Sequence, residues 1–220
     1  AMARAATGNV VVQGIVTGIA NYESGDVKYI FLSDADGTTI AVYNPTDAKA
    51  VLVGDLLKVT GSRAVHNGLE QIGAGSTVAV LESDQTVPAA TVLTEFPTFT
   101  AGDQGKRYSF EGLTVVSASG RNLRVTDGTT EVLVYVDINK EALTDHIATA
   151  VGKKVDLVNI HLGWYNSAQF LMFNTSEVVI AELTDADKLA AAKADLTLLE
   201  EYTTEFELPT TGLHGVSITW

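Results

Sequence analysis

The chain repeats itself, and that feature restricts its architecture more than any other. Val12-Gln13-Gly14-Ile15 recurs as Phe110-Glu111-Gly112-Leu113, and Val53-Gly54 as Val151-Gly152, both displaced by 98 residues. Between these anchors, Asp36-Gly37-Thr38-Thr39 recurs as Asp127-Gly128-Thr129-Thr130, displaced by 91. Two indels of opposite sign reconcile the offsets: a shorter loop after the first strand of the second copy, and a longer segment with helical character before Val151. Anchors in the same order describe two related domains, residues 9–85 and 101–182, with a linker over 86–100 and a different segment over 183–220.

Each copy reads as β-rich. Val10 to Ile19, Val27 to Leu32 and Thr38 to Tyr43 carry β-branched and aromatic residues in rough alternation, separated by Gly- and Asp-rich turns. A short helical segment is expected over Asp47 to Leu52. Leu56 to Ser62 and Leu69 to Val80 then give two more strands around an Asn67-Gly68 turn. The second copy repeats the order with Arg107 to Val116, Asn122 to Val125, Thr130 to Val136, a helix over Lys140 to Ala150, Val155 to Trp164 and Phe170 to Ile180.

That order, a Val-Gly entry into the fourth strand and a glycine partway along the first, resembles the OB-fold, a small five-stranded Greek-key barrel. Gly14 and Gly112 are expected where the long first strand bends to join both sides of the barrel. The fold class is therefore mainly β: two tandem OB barrels, then an amphipathic helix and a short β segment. More narrowly, the pattern is similar to OB modules found in tandem in secreted multidomain bacterial proteins, including extracellular nucleases. The resemblance implies a secreted or cell-surface location and neighbouring domains of a larger polypeptide as partners.

Residues 183–220 have another character. Thr184 and Asp187 form a capping-box-like start, and Leu189, Ala192, Leu196 and Leu199 recur at helical spacing, so a helix is expected over Asp185 to Tyr202. Glu205 to Trp220 reads as strand, turn, strand, and is similar to the opening of the atypical immunoglobulin-like domains of bacterial secreted proteins; a further domain is expected to follow it. Leu208-Pro209-Thr210-Thr211-Gly212 also satisfies the L-P-x-T-G sorting pattern. Only eight residues follow Gly212, without Lys or Arg, whereas a sorting signal is followed by an apolar span and a basic tail, so a turn fits better.

Catalytic constellations are scarce. His66, His146, His161 and His214 show no H-x-x-x-H spacing, and the chain has no Cys and no G-x-S-x-G elbow or phosphate-cradling loop. Asp34 and Asp36 before Gly37 lack the other ligands of a calcium loop and read as a hairpin turn. No cofactor or metal is expected, and the chain is read as noncatalytic. No window is apolar enough for membrane insertion.

Binding remains. The OB resemblance implies that oligonucleotides or oligosaccharides would lie on strands two and three, bordered by the loops between strands one and two and strands four and five. In the first copy this places Tyr22, Lys28, Tyr29, Phe31 and Tyr43 there, with His66 and Asn67 nearby. In the second it places Arg121, Arg124, Tyr135, Trp164, Tyr165 and Asn166. Against a site, Tyr29 and Phe31 share one face of their strand and can both be core, and Tyr43 and Tyr135 can simply cap a barrel. Trp164 and Tyr165 stand out because they fall at an expected hairpin tip, where packing asks little of a large ring.

Charge narrows the ligand. Lys and Arg number 14 against 27 Asp and Glu, a net charge of −13. Single-strand binders combine stacking rings with a positive groove, and only the second copy, with Lys106, Arg107, Arg121 and Arg124, approaches that pairing. The expected function is a noncatalytic accessory, binding or spacer module with a single-stranded nucleic acid or a glycan as ligand. The alternative is part of an extracellular nuclease or glycoside hydrolase whose catalytic domain lies outside this chain.

Overall fold

A computed structural model describes residues 7–138, 140–195 and 210–219. Five strands form the first barrel: β1 (Asn9–Asn21), β2 (Val27–Ser33), β3 (Thr39–Tyr43), β4 (Leu56–His66) and β5 (Leu69–Ile72). They run in the order β1-β2-β3-β5-β4, and β4 returns to pair with β1. Closure depends on β1 serving two partners. Its first half pairs with β4 and its second half with β2, and Ile15 is opposite both Leu56 and Ser33. Gly14 lies beside that hand-over. A Cβ there would stand 3.0 Å from the Ser33 carbonyl oxygen and 3.1 Å from the Leu32 Cβ, so a side chain would pry the corner open.

The second barrel repeats this plan. After β6 (Thr77–Glu82), which flanks β4, and β7 (Thr91–Val92) come β8 (Arg107–Ser119), β9 (Asn122–Thr126), β10 (Glu131–Val136), β11 (Lys154–Trp164) and β12 (Ala168–Met172). Their order is β8-β9-β10-β12-β11, closed by β11 on β8. The third and fifth strands of each barrel pair in parallel, the long-range link of a Greek key. Thr114 is the double-paired residue here, opposite Lys154 and Thr126. Gly112, two residues earlier, takes a φ of +66°, and its N–H donates to the Asp156 carboxylate at 2.7 Å, forming a bulge that turns the strand.

Helix α1 (Glu141–Ala148) fills the expected place between the third and fourth strands, burying Leu143 and Ile147. Its counterpart over Asp47 to Leu52 is not a helix. Asn44 and Asp47 both have positive φ, and the chain makes a turn closed by the Val51 N–H on the Ala48 carbonyl. Both expected final strands are also broken. Residues 73–76, including Gly75 at φ +77°, separate β5 from β6. In the second copy a 3-10 turn, Thr175–Glu177, capped by the Asn174 side chain, separates β12 from β13 (Val178–Ala181). In each case the chain leaves strand three and returns to flank strand four.

The 86–100 segment is packed against the second barrel. β7 pairs with β8, the Phe96 ring packs tilted against Phe110 and Phe170, and the Phe96 N–H donates to Asp127 at 2.6 Å. Both barrels belong to one compact unit ending at Ile180, and residues from Ala181 onward form another. In that second unit Thr184 and Asp187 close the expected capping box on helix α2 (Asp185–Asp195). Thr211 bridges Ser217, and a Cβ on Gly212 would meet Ala192 at 3.3 Å. Leu196, Leu199, Tyr202, the 205–208 strand and Trp220 lie outside the described residues. Among those described, no helix is long and apolar enough to cross a membrane.

Candidate functional site

β2 is buried on both of its faces. Ile30 and Leu32 point inward with Val16, Ile40, Val42, Leu57 and Ile72. Tyr29 and Phe31 point outward, yet they belong with Ala41 and Leu69 to the cluster that fills the second barrel. The face on which an OB barrel was expected to hold its ligand is thus largely spent on a seam between the two barrels. Phe31 stacks on Phe173 with ring centroids 5.6 Å apart and lies 4.7 Å from His161.

His161 is 2% exposed at the centre of this seam. The Thr17 hydroxyl donates to the Phe31 carbonyl at 3.2 Å and lies 3.3 Å from the His161 Nε2. With its proton so used, Thr17 can only accept from the ring, which places the imidazole proton on Nε2 and leaves buried Nδ1 without a partner. Burial, with the Arg107 charge adding to it, pushes this histidine down to about 3, so it is neutral at pH 7. Gly18 makes the approach possible: a Cβ there would be 2.2 Å from the His161 Cε1.

Gln104, absent from the sequence-derived candidates, ties the seam together. Its side-chain amide donates to the Gly68 carbonyl at 2.8 Å and accepts the Glu70 N–H at 2.9 Å, while the Thr39 hydroxyl donates to its backbone oxygen. The hairpin turns at the β4–β5 and β11–β12 corners also meet. Asn67 and Gly68 take φ of 47° and 89°, the type I′ geometry. A Cβ on Gly68 would be 2.6 Å from the Trp164 indole, and the Asn166 N–H donates to the Asn67 carbonyl at 2.6 Å.

Beside these turns the seam opens into a cleft of about 540 Å³. The first barrel lines it with Lys28, Tyr29, Tyr43, His66, Leu69 and Gln71. From the second come Asn122, Leu133, Tyr135, Asp137, Trp164, Tyr165, Gln169 and Leu171. Lys28 and Asp137 are one ion pair: the ammonium is 2.8 Å from the carboxylate and donates to the Asp137 backbone carbonyl at 2.7 Å. Burial, and then the Asp137 charge, hold the Tyr29 hydroxyl far above the ordinary tyrosine range, so it stays protonated. Gln71 is 5% exposed, and its Oε1 is buried without a hydrogen-bond partner.

Of the sequence-derived candidates, Lys28, Tyr29, Tyr43, His66, Tyr135, Trp164 and Tyr165 come together in the cleft. Trp164 is not a free ring at a loop tip; it is half-buried against Gly68, while Tyr165 is 55% exposed and edge-on to His66. Arg121 does not line the cleft. Its guanidinium covers the Tyr135 ring at 4.7 Å and donates to the Val136 carbonyl at 2.6 Å, so it braces Tyr135. Arg124 lies outside too, paired with Glu131 at 2.8 Å. Tyr22 faces another groove, and burial, with Tyr43 adding to it, raises its hydroxyl above the ordinary tyrosine range.

The glutamines were missed, although one signal was available. Gln71 and Gln169 are 98 residues apart, the offset of the repeat, so they are the same position in two related strands. Among the described residues no three His, Asp or Glu side chains converge as a metal site requires.

No family model and no curated protein sequence matches the chain. Among solved structures, the crystal structure of the tetrameric p202 HIN2 is similar over 81% of this chain and 96% of that one, with 14% identity and a TM-score of 0.33. At that TM-score the likeness carries no weight for fold or function. The OB assignment stands on strand order and closure.

Proposed function

We propose that the chain is a noncatalytic binding module of a larger secreted bacterial protein and that its ligand site is the cleft between the barrels. The observation that carries this reading is the lining itself: four tyrosines, a tryptophan and three side-chain amides around a space in the size range of small-molecule sites. Asp137, the one carboxylate of the lining among the described residues, is held by Lys28 rather than poised for proton transfer. Any catalytic domain, whether of nuclease or glycoside hydrolase type, then lies elsewhere in the polypeptide.

A single-stranded nucleic acid has less support as the ligand. Arg121 and Arg124 are engaged within the barrel, and the net charge of −13 opposes a polyanion. The test is an amide chemical-shift titration of the protein with a glycan library and with a single-stranded oligonucleotide. Shifts concentrated at Tyr29, Tyr135, Trp164 and Gln169 are expected for a ligand that binds. Shifts centred on Arg124 and Glu131, or none with either class, would overturn the proposed site.

A further inference from the structure

We infer that the cleft recognises the end of a neutral glycan, with Gln71 and its repeat counterpart Gln169 as the specificity-determining residues. This rests on the cleft being the ligand site and specifies what enters it.

An unpaired acceptor in the lining calls for a donor. Gln71 lines the cleft, and its Oε1 is buried with no donor in the protein, which opposes folding. Rotation of the amide toward the cleft would bring it to a ligand hydroxyl that satisfies it. Gln169 and Asn122 add further amides, each with a donor end and an acceptor end. A sugar hydroxyl also donates and accepts, so a wall of amides matches a polyol better than it matches a phosphate or carboxylate, which only accept.

Charge favours a neutral ligand. Among the described residues Lys28 is the only Lys or Arg lining the cleft, and it makes two contacts with Asp137. An anion entering here would face the Asp137 carboxylate and find no unengaged cation. A neutral ligand leaves that pair intact. Shape favours a sugar ring. Tyr135, buttressed by Arg121, and Trp164, seated on Gly68, are rings held in place before any ligand arrives. Such rings suit the C–H face of a pyranose and lose little freedom on binding. The volume admits a short end rather than a long chain.

The experiment uses the whole chain with Trp220→Phe, which leaves Trp164 as the sole tryptophan. Its fluorescence is followed against maltose, cellobiose, lactose, N,N′-diacetylchitobiose, tetragalacturonate and hexathymidylate, each at low and high salt. A response to at least one neutral disaccharide, unchanged by salt, is expected. Gln71→Met should weaken that binding about tenfold, the size of one lost hydrogen bond to a desolvated group, while its melting temperature stays level or rises because the orphan oxygen is gone. Gln169→Met serves as the second variant, with the same expected loss of binding.

A response only to tetragalacturonate or hexathymidylate, lost at high salt, would overturn the neutral-glycan inference and leave the cleft as the ligand site. Silence of Trp164 toward all six probes would overturn both. Unchanged disaccharide affinity in Gln71→Met and Gln169→Met would refute the role assigned to the glutamines.

Discussion

Acid should loosen the seam through His161, and the size of the effect follows from its burial. The ring is neutral in the folded protein because its value is pushed down to about 3, whereas in the unfolded chain it titrates near 6.5. Between those limits the unfolded state binds the extra proton, so the contribution is complete above pH 6.5 and is lost as pH falls toward 3. From pH 7 to pH 4.5 the loss is about 3 kcal/mol, since each unit is worth about 1.4 kcal/mol. Glu177 acts in the opposite sense. Burial raises it to about 7, so it binds a proton in the folded state first, and its contribution falls as pH rises from 4.5 to 7.

The clean measurement is therefore a difference. His161→Gln keeps a donor for Thr17 but does not titrate, and the Glu177 contribution cancels between the two proteins to first order. Urea unfolding of wild type and variant should show the stability gap shifting against wild type by about 3 kcal/mol between pH 7 and pH 4.5. Parallel stability curves across that range would refute the reasoning, because they would mean that the ring is protonated as readily in the fold as outside it.

Three further substitutions probe the seam. Gly68→Ala should cost roughly 2 kcal/mol or more by urea unfolding and disturb Trp164 fluorescence, since the position combines φ +89° with a Cβ 2.6 Å from the indole. Lys28→Met should cost roughly 2–4 kcal/mol by leaving Asp137 half-buried and unpaired, and Lys28→Met with Asp137→Leu should recover much of that in a double-mutant cycle. Gly18→Ala should cost roughly 1–3 kcal/mol in thermal unfolding, because the methyl group meets the buried His161 ring rather than solvent.

The barrels were legible because their signals are local: repeat anchors, alternating strands and the bend glycines all lie within short windows. Asp47 to Leu52 misled because its composition permits a helix, while Asn44 and Asp47 commit the backbone to positive φ. The strand breaks at 73–76 and 174–177 were hidden because apolar alternation resumes immediately after each one. β2 carried an unused clue. Tyr29-Ile30-Phe31-Leu32 is continuously apolar, the mark of a strand buried on both faces, and its second cover is the other barrel.

The candidate site was half legible for the same reason. Five aromatic rings announced themselves by size, but their convergence depends on contacts between residues more than 100 positions apart, as between Lys28 and Asp137. Arg124 was misleading because its partner Glu131 lies across a hairpin from it. The glutamines look unremarkable until the repeat superposes them.

The most direct test of the central claim, a ligand site shared by both barrels, is a measurement of intermolecular NOEs from the ring protons of a bound disaccharide. The account predicts contacts to Tyr29 and Gln71 of the first barrel together with Tyr135 and Trp164 of the second. Contacts confined to one barrel, such as the open surface around Arg124, would contradict it.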